Sequence, residues 1–310
     1  MTASSPLAVS FASHEFQNPL ILASGTAAYG REISGVIDLD SLGGIVTKAV
    51  SPNPRNGAPA PRVADFDGGM INAVGLANPG VDTVRDQELP WLAANLKKAR
   101  VIVNVVGDSV EDFATVVGEL DSAQGISAYE LNVSCPNVKA GGMEFGADNK
   151  TLTALVKLAR DATRRPITVK LSPMLPDIAS TARVAVDAGA NAITLVNTLP
   201  GLVIDVESRR PALGFGSGGV SGVGLLPVGV LAVWKVRRAV DVPLIGVGGV
   251  MRGTDVVQYM MAGATLVGMG TAAMKDPRAP QRVIRELRQW CDAHRVSSLG
   301  EIVGKVEWPA

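Results

Sequence analysis

The 310-residue sequence predicts an α/β chain, a (β/α)8 TIM barrel spanning residues 1–310 as one domain. Three observations lead there. Short runs, rich in β-branched residues and mostly apolar on both faces, alternate with amphipathic stretches of helical length, as parallel strands covered by helices do. The punctuation between them repeats. Nearly every run finishes on a polar residue or a glycine, and a closed barrel would gather those ends on one face. An open doubly wound sheet is the competing architecture.

The eight strands are expected at 20–23, 44–48, 101–105, 129–133, 167–171, 192–196, 244–247 and 266–269. Helical stretches between them include "LTALVKLARDATRR", "DIASTARVAVDAGA", "PVGVLAVWKVRRAV" and "RAPQRVIRELRQWCDAH". "VAVDAGANAITLV" and "QYMMAGATLVGMG" share a helix end, an Ala-Gly-Ala stop and a strand, and the glycine suits a left-handed helix C-cap. "RRPITVK" and "VDVPLIG" each place proline just ahead of a strand.

Composition narrows the function. Lys plus Arg and Asp plus Glu number 29 each, and aromatic residues make up only 4%, so no basic, aromatic-studded surface invites nucleic acid. The opening "MTASSPLAVSFASHEFQ" lacks a basic region followed by a long apolar run, and no segment approaches the roughly 20 apolar residues of a spanning helix. A soluble cytoplasmic protein without membrane or nucleic-acid partners is expected. Only Cys135, Cys291, His14 and His294 carry thiol or imidazole groups, and no CxxC pair exists. Zinc, iron–sulfur and Ser-His-Asp chemistry are poorly supported, and no metal site is expected. The chemistry is left to Lys, Cys, Asn, Ser, Thr, the backbone or a cofactor.

The strand ends supply such groups: Ser24-Gly25-Thr26, Lys48, Asn104, Asn132 with Cys135, Lys170 with Ser172, Asn197-Thr198, Gly248-Gly249 and Gly270-Thr271. Ordinary polar loops explain the serines and glycines. They do not explain two lysines inside the apolar runs "GGIVTKAV" and "ITVKLS", because a lysine rarely occupies a buried strand position without an anionic partner. After the last two strands, "GVGGVMRGTD" and "GMGTAAM" provide the glycines that let backbone N–H groups approach a phosphate, and "GFGSGGVSG" reads as a third glycine-rich loop. "GVGG" lacks the GxGxxG spacing of a dinucleotide site. A phosphorylated organic cofactor fits this set, and flavin mononucleotide (FMN) in particular: the glycine corner would take its phosphate, and a lysine would stabilise the negative charge of the reduced ring.

"ELNVSCPN" ends a buried strand in Asn132, Ser134, Cys135 and Asn137, where either a turn or a reaction needs polar residues. Cys135 reads as a reactive thiol, with an inert packing cysteine as the alternative. Cys291, within a helix, reads as packing. The following "PNVKAGGMEFG" lacks strand or helix periodicity and reads as a lid, or else as a plain surface loop.

These segments, with "NPLILASGT", "TKAVSPNPRNGAPAPRV", "MINAVGLANPG", "VKLSP", "VNT", "GGVSG" and "IGVGGV", resemble dihydroorotate dehydrogenases over almost the whole chain. The resemblance implies FMN held by Ser24, Lys48, Ala49, Asn104, Asn132, Lys170, Val196, Gly222, Gly248, Gly249, Gly270 and Thr271. It implies dihydroorotate held by Lys48, Asn72, Ala73, Val74, Gly75, Leu76, Asn132, Asn197 and Thr198. Cys135 would be the catalytic base; the soluble class 1 branch carries cysteine there and the membrane-attached branch serine. The reaction removes a proton from C5 and a hydride from C6, so a base is needed on the face opposite the flavin. A thiol, with an ordinary pKa of about 8.5, suits that better than a hydroxyl.

The wording is most similar to the NAD-linked group (class 1B). That implies a barrel homodimer joined by an electron-transfer subunit carrying FAD and a [2Fe–2S] cluster, a heterotetramer. The fumarate-linked group (class 1A), a dihydropyrimidine dehydrogenase subunit and a non-catalytic flavin-binding barrel are the alternatives.

Overall fold

The computed structural model describes residues 5–134, 136–137 and 143–309. Eight parallel strands close into a barrel: β1 (Leu20–Leu22), β2 (Gly44–Val46), β3 (Arg100–Val105), β4 (Ile126–Asn132), β5 (Ile167–Leu171), β6 (Ala192–Leu195), β7 (Leu244–Val247) and β8 (Leu266–Met269). Each pairs with its sequence neighbours, and β8 pairs with β1 to complete the ring. The open-sheet alternative is thereby ruled out.

Helices α1 (Leu89–Asn95), α2 (Val110–Leu120), α3 (Asn149–Asp161), α4 (Ile178–Asp187), α5 (Leu225–Arg237), α6 (Gly253–Ala262), α7 (Thr271–Lys275) and α8 (Ala279–His294) follow the strands from β2 onward. The β1–β2 connection carries only the 3-10 turns Arg31–Ile33 and Leu39–Ser41. Local chemistry sets the helix starts. Ser109 and Asp112 form a capping box on α2, Asp148 accepts from the Thr151 N–H at 2.8 Å on α3, and Asp177 accepts from the Ser180 N–H at 3.0 Å on α4. The Ala-Gly-Ala stops work as expected: Gly189 and Gly263 follow α4 and α6 with φ of 116° and 125°. The two prolines ahead of strands feed the ladder with their carbonyls, Pro166 accepting from Tyr129 N–H and Pro243 from Ile193 N–H.

Several sequence expectations shift. β2 ends at Val46, so Lys48 lies beyond the strand rather than within it, and β6 ends at Leu195, leaving Val196 and Asn197 in the loop. The glycine-rich segment expected as a loop is largely strand: Gly218–Gly222 pairs antiparallel with Gly69–Asn72. With Leu199–Gly201 and Val63–Phe66 these make a four-stranded sheet beside the barrel mouth, which the sequence pattern did not announce. Four residues of the expected lid are also paired at its base, Pro136–Asn137 against Met143–Glu144, and Phe145–Ala147 forms a 3-10 turn whose Phe145 ring packs edge-on against Phe113 at 5.4 Å. The remaining lid residues, 138–142, and Cys135 lie outside the described residues. Cys291 is buried in α8, as expected of a packing residue. No helix among the described residues is long and apolar enough to cross a membrane.

Candidate active site

A cavity of about 580 Å³ opens where the strands end. The barrel's pleat explains its lining. Lys170 on β5 is in register with Asn132 on β4 and Thr194 on β6, so all three side chains point into the barrel, and Thr168 and Glu130 face inward one layer below. Every residue assigned above to cofactor or substrate lines this one cavity, from Ser24 through Thr271, including the whole run Asn72–Leu76. Cys135 alone is outside the described residues, whereas its neighbour Ser134 lines the cavity.

Lys170 is buried and Lys48 partly buried, and neither makes an ion pair or side-chain hydrogen bond with another described residue. Uncompensated ammonium groups at a low-dielectric site favour an anionic occupant. The asparagines are oriented by their neighbours. Asn197 Nδ2 donates to Asn132 Oδ1 (3.3 Å), Asn197 Oδ1 accepts from Thr198 N–H (2.9 Å), and Asn72 Nδ2 donates to the Gly219 carbonyl (3.2 Å). The Asn132 amide N–H and the Asn72 Oδ1 are left for a ligand: a donor and an acceptor, as a flat ring with lactam groups requires.

The loop 72–76 is held in an unusual backbone shape. Gly75 has φ of 68° and Leu76 has φ of 56°, a left-handed conformation that costs a non-glycine residue about 1 kcal/mol or more. Asn78, buried beneath it, holds that shape by accepting from the Ser51 and Gly80 N–H groups and donating to Ser51 Oγ and the Leu76 carbonyl. At the glycine corner, Gly248 and Gly249 have φ of 126° and 72°, and a Cβ at Gly249 would collide with the Leu226 backbone. The Gly249 and Val250 N–H groups meet no acceptor among the described residues, which suits a phosphate.

Two tyrosines, not singled out in the sequence, lock the walls. Tyr259 donates to the Gly248 carbonyl (2.8 Å) and Tyr29 to the Ala49 carbonyl (2.9 Å), and burial pushes both phenols well above their ordinary range, so they remain donors. Ser24 Oγ donates to the Thr47 carbonyl (2.9 Å), and Thr271 Oγ1 to Ser221 Oγ (2.7 Å). Glu144, at the lid's far base, accepts from Ser172 Oγ (3.2 Å), and burial raises its carboxyl above the usual range. No sequence signal marked Glu130 or the tyrosines, because their partners come from other segments, and Asn78 was not singled out because its role rests on Ser51 as well as on its own neighbours.

The model of the dihydroorotate dehydrogenase family matches residues 6–290. The chain is 43% identical to the dihydroorotate dehydrogenase B (NAD(+)) catalytic subunit of Geobacter sp. (strain M21), over 97% of this chain and 98% of that one. It is 44% identical to the protein of the same name from Desulforudis audaxviator, over 96% of both chains. A third, from Desulforamulus reducens, shares 41% identity over 96% of this chain and 97% of its own. On this match, nearly end to end, the chain belongs to the dihydroorotate dehydrogenase family.

Proposed function

We propose that the chain oxidises (S)-dihydroorotate to orotate in de novo pyrimidine biosynthesis, with FMN as its cofactor. The observation that carries this reading is the pair Lys48 and Lys170, both lining one cavity and neither neutralised by a described residue. One cation serves the substrate carboxylate and the other the cofactor. The family is flavin-dependent. The residues fit FMN in three respects: the open N–H groups at the glycine corner, the Lys170 ammonium, and an Asn104 Oδ1 that is buried without a partner among the described residues. Bound FMN would supply the hydride acceptor for C6 of the substrate.

Each remaining role falls to this chain's own groups. Lys48 and the backbone of the Asn72–Leu76 loop hold the carboxylate. Asn72, Asn132 and Asn197 hold the ring flat through its carbonyl and N–H groups. Cys135 Sγ takes the C5 proton, on the strength of its place in the motif. Lys170 would hold the cofactor ring, and its ammonium would favour negative charge there.

Relatives named as NAD(+)-linked catalytic subunits support a partner chain. We assign it FAD and a [2Fe–2S] cluster, in a heterotetramer built on a barrel homodimer. Two cysteines, one of them the buried free thiol Cys291, fit a reducing cytoplasm. The test is acceptor choice. The FMN-loaded chain should oxidise dihydroorotate with a one-electron dye but not efficiently with NAD alone. Efficient unaided NAD reduction would remove the partner, and efficient fumarate reduction would move the chain to the fumarate-linked group.

A further inference from the structure

One buried carboxylate beneath the cavity lining has no part in the roles above. Glu130 is 1% exposed and its side chain points into the barrel, where apolar layers are usual. Its Oε1 accepts from Asn104 Nδ2 at 2.7 Å, and its Oε2 accepts from Thr194 Oγ1 at 2.9 Å. Because the Thr194 hydrogen is committed to Glu130, the 3.1 Å contact between Thr168 Oγ1 and Thr194 Oγ1 has Thr168 as donor. A directed chain results, running from Thr168 to Thr194 to Glu130, with Asn104 donating from the other side.

Direction has a consequence at Asn104. Both carboxyl oxygens of Glu130 accept, one from Thr194 and one from Asn104, so the amide turns its NH2 toward Glu130. The amide oxygen is then fixed as the remaining group. That Oδ1 is buried and finds no donor among the described residues, although Asn104 lines the cavity. A buried acceptor without a partner is costly, so its donor has to come from the cavity's occupant.

We infer that Glu130 is a positioning residue: it holds Asn104 as an acceptor for a cyclic imide N–H of the bound ring. Both oxidised flavin and dihydroorotate carry such an N–H. A neutral or donor-bearing residue at position 130 would let the amide turn over and present NH2 to that N–H, donor against donor. The inference rests on the FMN reading, so FMN binding by the unaltered chain is measured first; its absence refutes that reading rather than this one.

The test compares FMN dissociation constants of the apo forms, orotate titrations of the loaded forms, flavin midpoint potentials and apo melting curves. Glu130→Ala should weaken FMN at least about tenfold, the size of one buried hydrogen bond lost or reversed. If FMN is held normally but orotate weakens by that factor, the imide is the substrate's and the positioning role stands. Values for both ligands within twofold of the unaltered chain (about the error of such titrations) overturn it. Glu130→Gln, which removes a nearby negative charge, should move the flavin potential upward. Asn104→Asp sets two carboxylates together and should abolish FMN binding. Adding Glu130→Gln to Asn104→Asp restores an amide–carboxylate pair with roles exchanged and leaves an acceptor facing the ring, so binding should return. A folded double variant that binds no FMN overturns the inference even if Glu130→Ala fails to fold.

Discussion

Lys170→Met is the most informative single perturbation. The side chain is 7% exposed and its ammonium has no described protein partner, so the cofactor-free protein bears part of the cost of desolvating an ammonium at this position, the open cavity relieving the rest. Methionine has similar reach and no charge. Recovering about 2 kcal/mol of that cost is a reasonable expectation. With 310 residues contributing roughly 2.1 cal/mol/K each, the unfolding entropy is near 0.65 kcal/mol/K, so the apo Tm should rise by about 3 °C. The bound state should move the other way. Losing a hydrogen bond to a charged group costs about 1.5–3 kcal/mol, which is roughly ten- to hundredfold in FMN affinity. Differential scanning calorimetry with and without FMN should therefore show the curves crossing: the variant melts higher when empty and gains far less from FMN. An apo Tm that falls by several degrees would show that Lys170 has a structural partner, and unchanged FMN affinity would remove it from the cofactor site.

Other expectations concern separate parts of the site. Cys135→Ala should keep its yellow colour while flavin reduction by dihydroorotate slows by about 10²–10⁴-fold, the range for a lost general base; stopped-flow rates near normal would remove the assignment. Gly249→Ala places a Cβ against the Leu226 backbone at a positive φ, and FMN affinity measured by fluorescence titration should drop at least about tenfold while the substrate loop is untouched. Glu144 carries a pH signature. Its carboxyl is raised by burial, so ionised Glu144 costs the folded state stability above the folded pKa, and the cost vanishes below the ordinary value of 4.5. Glu144→Gln should thus raise Tm at pH 8, with the difference shrinking toward pH 4; a constant difference across that range would refute the assignment of burial as the cause.

The barrel was legible because its signals are local. Apolar runs, Ala-Gly-Ala stops such as Gly189 and Gly263, and strand-preceding prolines each report on a few neighbouring residues. Much of the site was legible for the same reason, since a lysine inside an apolar run is visible without coordinates. The four-stranded sheet at the mouth was not. Its strands come from residues 63–72 and 199–222, and nothing in either segment announces the other. Glycine-rich composition in 214–222 suggested a loop, but Gly218–Gly222 is strand, paired on both sides, and its glycines stand where the packing leaves no room for a side chain: a Cβ at Gly219 would meet Thr198, and one at Gly222 would meet Gly68. Glu130 escaped notice within a motif whose amides and thiol drew attention, because a buried carboxylate is interpretable only once Asn104 and Thr194 are seen to donate to it.

The most direct measurement is anaerobic mixing of the FMN-loaded chain with dihydroorotate, following flavin absorbance and orotate formed in a single turnover. Bleaching should be complete, with one orotate released per flavin, and dihydrouracil should leave the colour unchanged. A flavin that stays oxidised with dihydroorotate, or that is bleached by dihydrouracil instead, would contradict the assignment of Lys48 and its neighbours to a carboxylate-bearing pyrimidine.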